Sequence, residues 1–262
     1  IDHDWQKKWA LEGSCGPRNA GMGYWDELKR HYNALAREGI AVEFVDQNAD
    51  LTGYGLVVVP MLYLLTDAFA KKLCAFAQNG GTVIVTYWSG VVDESDLCRL
   101  GDTPYGLTEL LGLRRTEIDG MYDGETRRCM PAAGCTLPAA QASTLCEVAA
   151  LDEENPAEPL SLYAEDYFAG PPAAAVHRYG KGRAYYLASR FDEAFYRAFY
   201  HDAAKEIGLS PAWPEALPEG ILAVRRGSFV FVQNCTEQPV TVGNTVLDRY
   251  RTAVWKDMDR IF

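Results

Sequence analysis

Apolar positions in the first ninety residues keep two rhythms in turn. Met22, Trp25, Leu28, Tyr32 and Leu35 recur at steps of three and four, the spacing that lines one face of an α-helix. Gly39 then supplies a residue free to take the left-handed backbone that ends it. Ala41 to Val45 reads as a short strand. Leu56-Val57-Val58-Val59-Pro60 is a continuous apolar run, as expected of a strand covered on both faces. Thr66 stands where it can cap a second helix, with Phe69, Leu73 and Phe76 inward and Gly80-Gly81 closing it. Thr82 to Thr86 is the next buried strand. Strands alternating with helices of this length predict right-handed βαβ units and a parallel sheet.

The pattern weakens further on. A loop runs from about 89 to 113 and holds a short helix around Leu107 to Leu111. The Ala-, Pro- and acid-rich stretch 114–160 predicts only short, irregular strands. Ala173 to His177 and Ala184 to Ser189 flank Gly180-Lys181-Gly182, a turn joining two strands. Asp192 caps a helix that carries Phe195, Phe199 and Ile207 inward, and Gly208 follows it. Pro211, Pro214 and Pro218 read as a stiff linker over 211–218. The chain thus divides into an α/β domain over 1–210 and a small antiparallel β-domain over 219–262. Ile221 to Arg226, Phe229 to Gln233, Val240 to Val242 and Ala253 to Lys256 are its strands, too few to enclose a large core.

Charge narrows the partners. Against 36 acidic side chains there are 25 basic ones, a net −11 over 262 residues. Displacing counterions from a phosphate backbone takes Lys and Arg, so neither nucleic acid nor an anionic membrane is expected. No run reaches the ~20 apolar residues that span a bilayer, and no leader is visible, so a cytoplasmic location is expected. Cys15, Cys74, Cys98, Cys129, Cys135, Cys146 and Cys235 form no CxxC pair. The four histidines form neither HExxH nor a zinc-finger spacing, so reduced thiols and no metal or cofactor are expected. The opening Ile1-Asp2-His3-Asp4 reads as the tail of a buried strand, as in a piece of a longer polypeptide.

The usual catalytic arrangements fail one by one. No GxGxxG or Walker A lysine follows the first strand. Amidotransferase-like folds carry a nucleophile on a strand-to-helix turn. The turn after Thr86 reads Tyr87-Trp88-Ser89-Gly90-Val91, where Ser89 is the only hydroxyl nucleophile and no histidine partner motif answers it. Glycosidases need two carboxylates, about 5–5.5 Å apart for retention, on a rigid scaffold. Here the acids cluster in loops: Asp93, Glu94 and Asp96; Asp119, Asp123 and Glu125; Asp152, Glu153 and Glu154. The first cluster, the one candidate for calcium, lacks the alternating Asp-x-Asp-x-Asp-Gly order of a calcium loop. Aromatics are plentiful instead. Trp5, Trp9, Tyr24, Trp25, Tyr54, Tyr63, Tyr87, Trp88 and Tyr105 fit core packing, or an interface or sugar-stacking surface.

Five blocks together resemble the middle and C-terminal regions of family 42 β-galactosidases. They are Trp9-Ala10-Leu11-Glu12, residues 51–63 (LTGYGLVVVPMLY), residues 80–86 (GGTVIVT), residues 89–94 (SGVVDE) and residues 179–187 (YGKGRAYYL). The tail around Phe229-Val230-Phe231-Val232-Gln233-Asn234 is similar to that family's small C-terminal β-domain. The resemblance implies a flavodoxin-like, class I glutamine amidotransferase-like α/β domain, a parallel sheet with helices on both faces, that assembles its parent as a homotrimer. It also implies that catalysis belongs to an upstream TIM barrel, where an acid/base Glu follows an Asn. This chain has no Asn-Glu dipeptide, so no catalytic residue carries over and no hydrolysis by the chain alone is expected. Trp9, Tyr63 and Trp88, in loops that no helical periodicity claims, are the candidates for the subunit contact or for a face turned to the missing barrel. A stand-alone sugar-binding protein and a small amidotransferase-like enzyme are the competing readings.

Overall fold

The computed structural model describes residues 23–256. Two compact units divide the chain. One is built on Phe44–Ala198 with the chain before Arg30, the other on Arg30–Glu43 with the chain from Phe199 onward.

In the first unit, β1 (Leu56–Val59) leads through α2 (Asp67–Gln78) to β2 (Thr82–Thr86), and the two strands pair in parallel. Thr66 caps α2 as expected, its hydroxyl accepting from the Phe69 N–H at 3.2 Å. Phe69 and Leu73 are buried and Phe76 packs against the same core. A short helix α3 (Thr108–Leu111) precedes β3 (Leu113–Gly120), β4 (Thr126–Pro131), β5 (Ala140–Leu151), β6 (Glu158–Tyr163), β7 (Pro172–Tyr179), β8 (Gly182–Leu187) and β9 (Ser189–Arg190). The sheet order is β1-β2-β8-β7-β6-β4-β5-β3, with β9 also on β5.

Two expectations need correction. The sheet is mixed and largely antiparallel: only β1–β2 and β2–β8 run parallel, while β7–β8, β6–β7, β4–β6, β4–β5, β3–β5 and β5–β9 run antiparallel. Parallel pairing needs a long crossover, which α2 supplies once. Between β3 and β8 the links are short, and short links join antiparallel neighbours. Ala41 to Val45 forms no strand. With Phe44 half exposed, that segment has no buried face to align against a neighbour.

Helix α1 (Tyr24–Arg37) exists, but its buried positions are Tyr24, Glu27, His31, Ala34, Leu35 and Ala36 rather than the all-apolar series read from the sequence. Of that series Met22 lies outside the described residues, while Trp25, Leu28 and Tyr32 are half-buried. Burial of Glu27 and His31 is tolerated because each meets a hydrogen-bonding partner, and so the inward stripe turns one position away from the apolar rhythm.

The second unit groups the late turns of α1 and of α4 (Glu193–Glu206) with a three-stranded sheet, β10 (Ile221–Arg226), β11 (Phe229–Asn234) and β14 (Thr252–Lys256). A two-stranded ribbon of β12 (Val240–Val242) and β13 (Thr245–Leu247) completes it. His31 Nδ1 lies 2.5 Å from the Tyr200 hydroxyl, with the rings edge to face at 5.7 Å. Gly39 ends α1 at φ +68°, where a side chain would strain the backbone, and its carbonyl accepts from the Ala212 N–H at 2.8 Å. The segment 211–218 sends Ala212 and Trp213 into the core with Ile221, Val230 and Val232. Among the described residues no helix is long and apolar enough to cross a membrane.

Candidate functional site

The ends of the parallel strands hold a connected polar network. Beyond β2 the chain turns through Tyr87 and Trp88, and beyond β1 through Met61 and Leu62. The Thr86 hydroxyl accepts from the Met61 N–H at 2.7 Å, and the Ser89 hydroxyl accepts from the Leu62 N–H at 3.1 Å. Ser89 is fully buried and bound in this way, so it braces the loop; nothing about it resembles an exposed nucleophile.

Glu147 on β5 is fully buried. Its carboxylate accepts from Arg115 Nη1 at 2.7 Å, from the Trp88 backbone N–H at 3.0 Å and from the Tyr186 hydroxyl. Tyr163 donates beside it to the Ala188 carbonyl at 3.1 Å. A second buried carboxylate, Glu27 on α1, accepts from Arg190 Nε at 2.9 Å and from the Tyr196 hydroxyl at 2.5 Å. The Arg190 Nε also lies 3.2 Å from the Tyr87 hydroxyl, which links this group to the turn after β2. Burial drives the Tyr186 phenol well above its ordinary pKa, and Glu147 adds to it; Tyr87 and Tyr196 are raised by burial and by Glu27. Burial pulls the Arg115 guanidinium down, but Glu147 and Tyr186 outweigh that and raise it. Each carboxylate is thus ringed by donors and sealed from solvent. A glycosidase acid must reach a glycosidic oxygen, and these two are spent on holding the fold.

Sequence reasoning missed both acids. Their signal was a charge at a position where an inward stripe demands an apolar residue: Glu147 amid Leu145-Cys146-Glu147-Val148, and Glu27 one helical turn from Tyr24 and His31. The acidic loops behave otherwise. Asp93 turns its carboxylate onto its own backbone, accepting from the N–H groups of Ser95 at 2.8 Å and Leu97 at 3.1 Å, while Arg99 pairs with Glu94. Among the described residues no three His, Cys, Asp or Glu side chains gather as metal ligands do.

Of the three aromatic candidates, Trp9 lies outside the described residues. Tyr63 is buried and Trp88 half-buried, and the structure brings them together: their rings stack 6.1 Å apart and 13° from parallel. Trp88 also packs on the cluster of Tyr24, Met61, Tyr87 and Leu145.

The model of the β-galactosidase trimerisation domain family matches residues 1–210. The chain belongs to that family. BglY, a β-galactosidase of Alicyclobacillus acidocaldarius, is 44% identical over 91% of the chain but only 35% of its own length. Pbg, a β-galactosidase of Clostridium perfringens, is 34% identical over 95% of the chain and 37% of its own. The crystal structure of a β-galactosidase from Rahnella sp. R3 superposes with a TM-score of 0.88 at 37% identity, covering 97% of this chain and 39% of that one. The chain therefore spans little more than a third of the relatives it matches. In this trimerisation-domain member the thiols of Cys129 and Cys146 are buried, and burial pushes them up to about 12 and about 11. Since the thiolate is the reactive form, brief alkylation at pH 8 is expected to label exposed Cys235 and to spare Cys129 and Cys146 until the chain unfolds. Peptide mapping reads this; early label on Cys129 would mean that β4 opens.

Proposed function

We propose that this chain is the assembly module of a family 42 β-galactosidase-like enzyme, joining three copies of its parent. The reading rests on the trimerisation-domain match across residues 1–210. It is supported by the two best-placed carboxylates, which are buried and hydrogen-bonded instead of open to a substrate. The parent hydrolyses terminal β-D-galactosides on a TIM barrel upstream of this region, in the cytoplasm, without a cofactor from this chain. Strands β1, β2 and β8 with α2 are the part that fits an amidotransferase-like arrangement. Gel filtration with light scattering is expected to return three times the 29.1 kDa chain mass. A single-chain mass across the concentration range would overturn the assembly role.

A further inference from the structure

We propose that the C-terminal end of strands β1 and β2, with Trp88 and the loop bearing Leu97 and Leu100, is the face that one copy of this chain seats on another. The inference rests on the assembly reading above and assigns it a surface.

Two turns meet at this end, and both are strained. Met61 after β1 and Trp88 after β2 take φ of +43° and +59°, left-handed values that side chains other than glycine seldom adopt. Such strain persists only where the surroundings over-determine it, and it concentrates at functional places. Here Thr86, Ser89 and Glu147 pin the two turns by the hydrogen bonds already described. The Trp88 ring is thereby held over Tyr63, while its Nε1 is removed from water and meets no acceptor. The ring as a whole is only half-buried, so its outer part remains as amphipathic aromatic surface for a partner to cover.

The adjoining loop is equally fixed. Val92 bridges to Leu64 and to Cys98, and the Arg99 N–H donates to the Val91 carbonyl at 2.9 Å. The Arg99 guanidinium lies 4.3 Å over the Tyr105 ring, 2.8 Å from Asp67 and 3.3 Å from the Leu65 carbonyl. On this braced loop Leu97 is 65% and Leu100 is 91% exposed. Val91 and Val92 pack with Trp88 and Tyr63, so the loop and the indole share one cluster. Exposed leucines on an ordered loop lose little entropy when they dock. They offer a sugar no hydrogen bond, whereas an apolar recess on a protein suits them. A projecting loop also fits a three-fold ring, in which one patch meets a different patch.

The test uses the whole chain in two variants, the double variant Leu97→Asp/Leu100→Asp and the single variant Trp88→Phe, by sedimentation over a dilution series with circular dichroism alongside. The leucine pair is expected to weaken assembly at least a hundredfold. Trp88→Phe keeps a ring but a smaller one, and is expected to weaken assembly about fivefold. Secondary structure should match wild type, and if Trp88→Phe misfolds the exposed leucines still decide. Wild-type assembly in folded variants would overturn this face and leave the assembly reading standing. A monomeric wild type would overturn both. Galactose binding by the wild type that Trp88→Phe alone abolishes, with assembly intact, would make the occupant a sugar and also overturn the proposal.

Discussion

Glu147→Gln is expected to lower the unfolding free energy by about 3–5 kcal/mol, the usual loss when one partner of a buried ion pair is removed. Arg115 is 7% exposed and would keep its charge in a dry site. The amide retains one oxygen for the Arg115, Trp88 and Tyr186 donors that the carboxylate shares between two. For a chain of this size that loss lowers Tm by roughly 10 °C. Urea unfolding followed by circular dichroism measures it. The double variant Glu147→Met/Arg115→Met removes both charges and fills their volume, so it is expected to recover much of the loss. A single variant within about 1 kcal/mol of wild type would mean that the carboxylate is not sealed as described, since surface changes fall in that range.

Gly182→Ala should cost about 3 kcal/mol, for a different reason. A Cβ at this position would press on the Gly81 carbonyl oxygen and stand 2.5 Å from that of Ala77. Backbone on both sides cannot swing away as a flexible side chain would, so the added methyl displaces β8 from the end of α2. The same place joins β2 to β8, with Thr82 opposite Arg183, and the damage should spread into the parallel ladder. Lys181→Ala, one residue earlier on an exposed turn, is expected to stay within about 0.5 kcal/mol of wild type. Parallel urea titrations separate the two; equal stability of both variants would remove the close approach from the account.

The same hairpin shows what a sequence of this kind reveals. Gly180-Lys181-Gly182 between two apolar runs marks a turn, and β7 and β8 pair across it, Tyr179 opposite Gly182. Leu56 to Val59 and Thr82 to Thr86 were legible because buried strands are continuous apolar runs, and Thr66 because a capping hydroxyl precedes the helix. Strand β5 was not legible. Its inward positions change phase, Ala140 and Ala142 first and then Leu145, Glu147 and Ala149, because Thr144 takes φ +75° and the pairing with β9 slips between Ser143 and Cys146. A bulge of that kind erases the two-residue rhythm from which a strand is recognised. Parallel order was overextended from the one helical crossover to strands joined by short links. The buried acids were hidden for a related reason: a charge inside an inward stripe is scored as polar, although Arg115 and Arg190 complete it only once the chain is folded. The pairing of Tyr63 with Trp88 needed the two turns to be brought side by side, although both residues were already marked as loop aromatics.

Subunit counting shows how many copies the assembly holds. The chain is co-expressed in two forms that differ by a short tag, and the intact assemblies are weighed by native mass spectrometry. Random mixing in a closed three-fold ring gives four populations, from all-tagged to all-untagged, whereas a dimer gives three and a monomer two. Four populations are the expected result; two populations at every concentration would contradict it.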